Sequence, residues 1–203
     1  RIEQYKSAIK FYSKKSKVYF LDNSSMSESN LKNNFNMPGV EIFKYSPSKA
    51  KDKGKGFQEF EMLDQFVLSE LREDYFLKIT GRYKIENLSL VLQKLNENTA
   101  YFDLKARRKI CLTSYFFCSK AFYQNNILDL YKKMDDPSGL WAEKVLYEKL
   151  KDSQKYEFFN TYCIINAISG STGKKYATNR SRILLSNLQR NLFRVMGFKT
   201  LYY

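Results

Sequence analysis

The sequence of 203 residues contains no histidine. This absence excludes the Ser-His and Cys-His nucleophile systems and every metal site that depends on an imidazole ligand. Cysteine is also scarce, and the three thiols stand in apolar surroundings without a CxxC spacing, at Cys111, Cys118 and Cys163. We interpret them as reduced core residues rather than as disulfides or zinc ligands.

Long hydrophobic runs are missing as well. No stretch approaches the roughly 20 consecutive apolar residues that span a bilayer, and none has the pattern of a secretory signal. We therefore expect a cytoplasmic protein. The sequence begins with a helical pattern at Arg1 rather than with a methionine, which leads us to expect a preceding segment.

Proline and glycine are few, with three and eight residues, whereas hydrophobic residues make up 43% and aromatic residues 16% of the chain. This composition is typical of a packed globular protein and not of a disordered one. The length predicts one large domain, or one domain with a helical appendix.

Acidic residues are outnumbered by basic ones, 21 against 35, which gives a net charge of +14. A field of this sign favours polyanions, phosphorylated small molecules or anionic lipid surfaces. Half of the net charge lies in the last quarter of the chain, where residues 158–203 include no acidic residue and seven basic ones: Lys174, Lys175, Arg180, Arg182, Arg190, Arg194 and Lys199.

The first part of the chain alternates between helical and strand patterns. Apolar spacing predicts helices over 3–14 and 56–74, and short β-branched or aromatic runs predict strands over 17–24, 40–46 and 75–81. The polar stretch between the first two strands, residues 25–39, is interpreted as a connection. This order indicates an α/β sheet with helices on its faces, to which the strand at 75–81 returns.

The second part of the chain is predicted to be mainly helical. Helices are expected over 86–95, 139–151 and 155–168, with a strand near 99–106 and a strand that runs into a helix after Cys111. A glycine- and serine-rich stretch at 169–175 then precedes a last helix. This helix carries arginines on one face and apolar residues on another: Leu184, Leu185, Leu188, Leu192, Val195 and Met196.

Three strand or loop ends carry polar residues that could form a site, because ligands of open α/β sheets bind outside the carboxyl ends of the strands. They are Asp22-Asn23-Ser24, the loop Lys53-Gly54-Lys55-Gly56 before the long helix, and Thr80-Gly81-Arg82. Carboxylate and amide groups suit a base or ribose, and a helix N-terminus and a guanidinium suit phosphates. Together these features indicate a nucleotide diphosphate site.

Each feature also has a structural interpretation. Asp-Asn-Ser after a strand is common in turns and helix caps. The Lys-Gly-Lys-Gly loop lacks the GxxxxGK[ST] spacing of a phosphate-binding loop, and solvated basic loops are common. Arg82 could bind the last carbonyls of a neighbouring helix instead of a phosphate.

The pattern KGKGFQE followed by YFLKITGRYKIEN, after a strand that ends in Asp-Asn-Ser, resembles a group of bacterial glycosyltransferases from capsular polysaccharide and lipopolysaccharide gene clusters. The resemblance covers about residues 1–150. It implies a nucleotide-sugar-binding, Rossmann-like sheet of the GT-A class, whose first strand would precede Arg1. It adds Glu59 and Lys78 to the residues expected to bind the nucleotide sugar, beside those already named in the three strand and loop ends.

The sequence departs from GT-A enzymes at one place. These enzymes usually carry an Asp-x-Asp that holds a divalent metal at the end of the strand matching YFLKITG, and this chain has no Asp-x-Asp. Thr80, Gly81 and Arg82 stand there instead. We expect the fixed charge of Arg82 to offset the diphosphate charge without a cofactor or metal, and Gly81 to allow close approach of the phosphates.

Inverting sugar transfer needs a carboxylate that accepts the proton of the acceptor hydroxyl. Glu143 is the first candidate, because a helix after the last strands commonly faces the acceptor cleft in GT-A folds, and Asp103 is the second. The alternative for Glu143 is an ordinary helix-surface carboxylate paired with Lys144 or Tyr147.

The expected organisation is a catalytic domain over 1–168 and a basic amphipathic segment over 169–203. This segment could lie on the anionic inner membrane, where lipid-linked acceptors reside, grip nucleic acid, or cover the core with its apolar face while its arginines are solvated. The stretch 169–175 is either a loop that closes over the donor or a linker. The alternative functions are a basic nucleic-acid-binding protein that stacks bases on its aromatics, and a membrane-surface scaffold.

Overall fold

The computed structural model describes residues 2–153, 155–167 and 179–202. The chain is a mixed α/β protein that forms two compact units. The first unit comprises Arg1–Arg72 and Leu128–Ala142, and the second comprises Glu73–Ile127 and Glu143–Tyr203. Each unit is described below by itself.

The first unit combines a two-stranded parallel sheet with helices. In chain order its elements are α1 (Ile2–Ser13), β1 (Val18–Asp22), α2 (Glu28–Phe35), β2 (Val40–Lys44), a 3₁₀ helix (Lys51–Lys53), α3 (Lys55–Ser69) and a second 3₁₀ helix (Leu130–Lys133). Strands β1 and β2 pair in parallel, with Val18 opposite Val40 and Asp22 opposite Lys44. The β1-α2-β2 crossover therefore forms a βαβ unit.

The segment between the first two strands is a helix, and its prediction as a polar connection is wrong. Ser27 caps α2, because its hydroxyl accepts a hydrogen bond from the Asn30 N–H. Leu31 and Phe35, four residues apart, are buried against Ile9 and Phe20. Two apolar residues and a cap are enough for a helix when a hydrophobic cluster stabilises it.

The long helix α3 confirms the predicted helical pattern. Its buried residues recur every three or four positions, as one face of a helix requires, and include Phe57, Phe60, Leu63, Phe66 and Val67. Around this face the aromatic rings pack closely, and Phe66 lies with its ring centroid 5.1 Å from Tyr19 and 5.2 Å from Phe43.

Gly54 precedes α3 in a backbone conformation that only glycine adopts readily, with φ 102° and ψ 179°. A Cβ at this position would lie 2.0 Å from Oδ2 of Asp136 and 2.5 Å from its Cβ. We expect Gly54→Ala to lower the free energy of unfolding by about 2–4 kcal/mol, through backbone strain and this overlap. Urea denaturation followed by circular dichroism measures the loss.

Gly197→Ala is the matched control for that change. Gly197 also has a positive φ, 73°, but a Cβ there would meet no atom within 4 Å. The free energy of unfolding of this variant should fall only by the cost of backbone strain, about 1 kcal/mol. Equal losses in the two variants would contradict a tight contact between Gly54 and Asp136.

The second unit is built on a four-stranded mixed sheet in the order β3-β8-β5-β9. Its strands are β3 (Tyr75–Ile79), β4 (Lys84–Ile85), β5 (Ala100–Tyr101), β6 (Leu104–Lys105), β7 (Ile110–Cys111), β8 (Tyr115–Ser119), β9 (Tyr156–Glu157) and β10 (Ile165–Asn166). Its helices are α4 (Leu88–Leu92), α5 (Lys120–Asn126), α6 (Ala142–Leu150), which begins at the last residue of the first unit, and α7 (Arg180–Val195). The pairs β4–β10 and β6–β7 are antiparallel.

Strand β8 is the centre of this sheet. It pairs antiparallel with both β3 and β5, and Tyr115, Phe116, Phe117 and Cys118 are all buried. A strand covered on both faces has a continuous apolar sequence instead of an alternating one. The Phe116 ring stacks on Phe102 with 5.0 Å between centroids.

The strand pairing corrects the prediction of one sheet. In the described part of the chain β3 pairs with β8 and not with β1 or β2, so the strands form separate sheets. Residues 155–168, predicted as a helix, contain the short strands β9 and β10 within their described part. Their pairing with β5 and β4 outweighs the local helical spacing. The predicted domain boundary at 168/169 and the stretch 169–175 lie outside the described residues.

Helix α7 presents an exposed apolar surface. Its predicted apolar face, which we call the apolar stripe, is exposed, and it consists of Leu184, Leu185, Leu188, Leu192, Val195 and Met196. Arg190, by contrast, is buried. The alternative in which the apolar face covers the core is therefore wrong, whereas its solvated arginines are found at Arg180, Arg182 and Arg194 but not at Arg190. None of the helices in the described ranges is long and apolar enough to cross a membrane.

Candidate functional site

The Asp22-Asn23-Ser24 segment at the end of β1 forms an internally bonded turn. Oδ2 of Asp22 accepts hydrogen bonds from the N–H and the hydroxyl of Ser24, at 3.1 and 2.9 Å. The same oxygen forms an ion pair with Lys44 at 2.7 Å. Asn23 donates its amide to the carbonyl of Gln58 in α3 at 3.2 Å. These contacts match the turn interpretation, because the side chains bind the first unit itself.

The N-terminus of α3, expected to bind phosphate, receives a carboxylate from the chain. The backbone N–H of Lys55 donates to Oδ2 of Asp136 at 3.1 Å. A carboxylate is favourable at a helix N-terminus, but it competes with a phosphate for the same N–H group and repels its charge. Sequence reasoning missed Asp136, because the two residues are 81 positions apart.

Gly56 and Glu59, the other expected ligands in α3, lie in its first turns. A Cβ at Gly56 would be 2.8 Å from Cβ of Ala142, so glycine lets the helix pack closely against this residue. Glu59 is half-buried. The close packing gives Gly56 a structural role that does not depend on a nucleotide.

At the end of β3, in the second unit, the structure brings several predicted residues together. The buried Lys78 donates to the carbonyl of Thr113, and to the hydroxyl of Thr80 at 3.3 Å. The hydroxyl of Thr113 donates to Oε1 of Glu143 at 3.1 Å. We call Lys78, Thr80, Thr113 and Glu143 the strand-end cluster. It links a cation, two hydroxyls and a half-buried carboxylate in one network.

Two elements position the strand-end cluster. Thr80 is fixed by its N–H, which donates to the Ser114 carbonyl at 2.8 Å and continues the β3–β8 pairing. Glu143 lies in the first turn of α6, where the helix dipole favours a negative charge. Lys78 also lies 5.9 Å from the ring centroid of Phe116. The carboxylate and the ammonium group are thus both held by regular structure.

Arg82 lies in the turn that follows the strand-end cluster. The Tyr83 N–H donates to the Thr80 carbonyl at 2.9 Å, which closes a turn with Gly81 and Arg82 in its centre. The side chain of Arg82 is half-buried, and its Nε is buried without a hydrogen-bond partner among the described residues. A buried donor without a partner costs free energy that a ligand oxygen would recover. Gly81 does not have a positive φ, so its backbone does not require glycine.

Asp103, the second candidate base, is placed differently from the prediction. It is fully buried, and Arg190 binds it with two hydrogen bonds, Nη1 to Oδ1 at 2.8 Å and Nη2 to Oδ2 at 2.6 Å. The Tyr115 hydroxyl donates to Oδ2 at 2.7 Å, and the Phe159 N–H donates to Oδ1 at 3.2 Å. With both oxygens engaged and away from solvent, Asp103 stabilises the fold and cannot serve as an accessible base.

The pKa of Asp103 reflects this environment. Burial by itself raises the pKa, but the charge of Arg190 and the hydrogen bonds from Arg190, Tyr115 and Phe159 outweigh burial, so the pKa lies below its ordinary value. The carboxylate therefore stays ionised. The arginines of the last helix, which include its partner Arg190, were expected to contact lipid or nucleic-acid phosphates or to be solvated. The one available signal for a buried pair was a lone acidic residue within the apolar run AYFDL.

The thiols have no signs of activation. Burial raises the pKa of Cys111 well above its ordinary value, and the charges of Asp103 and Glu143 raise it further against the effect of Lys78. Burial also raises the pKa of Cys118 and Cys163. All three are free and buried, which confirms their interpretation as reduced core residues.

Surface depressions occur elsewhere in the second unit. One is lined by Glu157, Phe158, Asn160, Arg194 and residues 197–199. A more open one is lined by residues of α7 and its cap, Asn179, Ser181, Arg182, Leu185, Ser186 and Gln189. Neither contains a residue of the strand-end cluster.

No family model, curated protein or solved structure matches this chain. Within residues 2–153, 155–167 and 179–202, no three Cys, Asp or Glu side chains are grouped so that they could hold a metal ion. The functional conclusion therefore rests on the residues and their geometry, together with the resemblance in sequence.

Proposed function

We propose that the chain is a glycosyltransferase that moves a sugar from a nucleotide-sugar donor to a cell-surface glycan or lipid-linked acceptor. We further propose that it is a bacterial enzyme of the capsular polysaccharide or lipopolysaccharide type, on the basis of the resemblance in sequence. The observation that carries the proposed function is the strand-end cluster: Thr113 binds both Glu143, through its hydroxyl, and Lys78, through its carbonyl. Arg82 follows β3 with an unpartnered Nε among the described residues.

The proposed chemistry uses Glu143 as the general base. The acceptor hydroxyl oxygen forms a bond to the anomeric carbon while the bond from that carbon to the diphosphate oxygen breaks. Glu143 takes the hydroxyl proton, and the nucleoside diphosphate leaves with the bonding electron pair. This scheme applies to an inverting reaction.

The guanidinium of Arg82 stabilises the leaving diphosphate in this proposal. An arginine keeps its charge at any physiological pH and can bind two phosphate oxygens at once. Lys78 and the Thr80 hydroxyl stand on the same strand end and add positive charge and a donor. In this proposal the reaction does not need a bound metal.

The proposed fold is a GT-A-like, Rossmann-type sheet. The parallel β1-α2-β2 crossover of the first unit supports this proposal, because it is the repeating unit of such sheets. The described strands differ from a single Rossmann-type sheet in two ways: they form separate sheets, and β8 pairs antiparallel with both β3 and β5.

A thermal-shift series with UDP-, GDP-, CDP- and TDP-linked sugars tests the proposed function. A donor at about 100 times its Kd should stabilise the folded protein by about 2.7 kcal/mol, and so raise the melting temperature. We expect Arg82→Ala to abolish the shift and leave the fold intact, which circular dichroism of the unliganded variant checks.

Arg72→Ala is the matched control for Arg82→Ala. Arg72 is an exposed arginine, and it should bind no phosphate. The control variant should keep the full shift of the unmodified protein. The proposal fails if no donor produces a shift, or if both arginine variants retain it.

The aromatic residues give little support to the alternative of nucleic-acid binding. Base stacking needs accessible rings. Many of the phenylalanines and tyrosines are instead buried in the two cores, including Phe60, Phe102, Phe116, Tyr123 and Tyr156. A gel-shift series over rising salt concentration separates this alternative, because binding through phosphates weakens steeply with salt.

A further inference from the structure

The apolar stripe of α7 is an exposed feature that the proposed function leaves unexplained. Its six side chains are 53% to 85% exposed. At 3.6 residues per turn they fall within an arc of about 120°. Phe198 and Tyr202, which follow the helix, are also exposed. Contiguous exposed apolar surface of this kind marks an interaction site rather than ordinary surface.

The rotation of α7 is fixed by polar contacts on its opposite side. Arg190 forms its double hydrogen bond with Asp103 and donates to the Phe159 carbonyl at 2.6 Å. Asn187 accepts a hydrogen bond from the Tyr162 N–H at 2.8 Å. Rolling the helix to bury its leucines would break these contacts and leave Asp103 buried without its partner. The exposure of the stripe is therefore imposed by the structure of the second unit.

Basic residues flank the apolar stripe. Exposed Arg180 and Arg182 lie at its two edges in the first turn of α7. The β6–β7 turn carries three more exposed basic residues, Arg107, Arg108 and Lys109. Its position near α7 follows from the pairing of Lys105 with Leu201, just beyond the end of α7.

Electrostatic coupling links these two groups of basic residues. Burial lowers the pKa of Lys105, Asp103 opposes this shift, and the charges of Arg108 and Arg182 lower the pKa further. Arg108 and Arg182 therefore both act on the same lysine, so the β6–β7 turn and the first turn of α7 carry neighbouring positive charges.

We propose that the second unit binds an anionic phospholipid surface through the apolar stripe and the basic residues beside it. The leucines and Val195 enter the boundary between headgroups and acyl chains, while Arg180, Arg182 and the β6–β7 turn contact the phosphates. An apolar arc bordered by arginines on a helix that does not span the bilayer is typical of interfacial binding.

Charge favours a lipid surface over the other occupants. A second copy would bring identical basic groups together, and residues 158–203 contain no acidic residue that could pair with them. A nucleic acid would satisfy the arginines but would leave the leucines in water. An anionic membrane binds the arginines through its phosphates and takes the leucines out of water.

Vesicle flotation tests this inference with the full chain. The probes are vesicles of phosphatidylcholine alone and vesicles of phosphatidylcholine and phosphatidylglycerol in equal amounts, each at low and high salt. We expect binding to the anionic vesicles, weakened by salt. Replacing Leu188 and Leu192 together by glutamine should reduce the partition coefficient by about tenfold or more, because two apolar side chains no longer enter the lipid.

Leu68→Gln combined with Leu90→Gln is the matched control, since both leucines are exposed and lie outside α7. This control should bind like the unmodified protein. Arg108→Gln combined with Arg182→Gln should reduce binding to anionic vesicles and make that binding less sensitive to salt. Circular dichroism establishes that every variant is folded.

Three outcomes would overturn the inference. One is no binding to either vesicle, and another is equal binding to neutral and anionic vesicles. The third is a dimer in light scattering that Leu188→Gln and Leu192→Gln abolish, which would assign the stripe to a second copy. None of these results affects the donor thermal shift, so the two proposals are tested separately.

Discussion

Asp103→Ala is expected to lower the free energy of unfolding by about 3–5 kcal/mol, because it leaves the guanidinium of Arg190 buried without its counter-charge. Arg190 is 1% exposed and Asp103 is fully buried, so water cannot replace the lost partner. The variant also leaves the Tyr115 hydroxyl and the Phe159 N–H without their acceptor. Urea denaturation at neutral pH, followed by circular dichroism, measures the loss.

A double replacement separates the effect of the charges on stability from the effect of side-chain packing. Asp103→Leu combined with Arg190→Met removes both charges, and it should be markedly less harmful than Asp103→Ala alone. If the paired replacement were as destabilising as the single one, packing and not charge would account for the effect.

The same pair makes stability depend on pH. The folded pKa of Asp103 lies below its value in the unfolded chain, about 3.9. Its contribution is therefore complete above the unfolded pKa and is lost as the pH falls through the folded pKa. Asp103→Asn should flatten the acid limb of the stability curve, relative to the unmodified protein.

Glu143→Gln is expected to reduce kcat for sugar transfer by about 10²–10⁴-fold, because the amide cannot accept the acceptor's proton. It keeps the size of the side chain and can still accept the hydrogen bond from Thr113. The donor-induced thermal shift should therefore remain. Steady-state assays, with the donor identified by thermal shift, measure the change in kcat.

Two further variants sharpen the assignment of Glu143. Glu148→Gln removes an exposed carboxylate of the same helix that forms an ion pair with Lys151 at the surface, and it should leave kcat unchanged. Thr113→Val removes the hydroxyl that positions Glu143 and should reduce kcat by less than Glu143→Gln does. If Glu148→Gln matched the effect of Glu143→Gln, the base assignment would be wrong.

The elements that local patterns predicted are those with strong periodicity. Helices α1, α3 and α7 and strands β1, β2 and β3 follow their predicted positions closely. In each of these the spacing of the apolar residues or the β-branched content determines the element with little help from distant parts of the chain. Helix α2 was missed, because only Leu31, Phe35 and a serine cap mark it.

The pairing of strands was much less predictable. Strands β9 and β10 are two residues long, and they exist because β5 and β4 offer partners far away in sequence. A run such as KYEFFNTYCIINAI is compatible with a helix by itself, so its structure depends on tertiary context. The pairing of β3 with β8 likewise has no local signal.

The candidate site shows the same limit. The strand end at Thr80 and the carboxylate at Glu143 were chosen from their positions after predicted elements, and Thr113, which joins Glu143 to Lys78, was not. The Asp136 carboxylate at the start of α3 was also missed. Residues that folding brings together from distant positions show no recognisable spacing in the sequence. Residues that follow a strand pattern can be identified from that pattern.

The contact between Asp103 and Arg190 also bears on how the chain folds during synthesis. The two residues are 87 positions apart, and the second unit begins at Glu73, long before Arg190 is made. Until α7 has been synthesised, the aromatic strands of this unit lack the cation that neutralises their buried carboxylate. Closure of this unit must therefore wait until Arg190 has left the ribosome, and such long-range contacts favour slow maturation of the nascent chain.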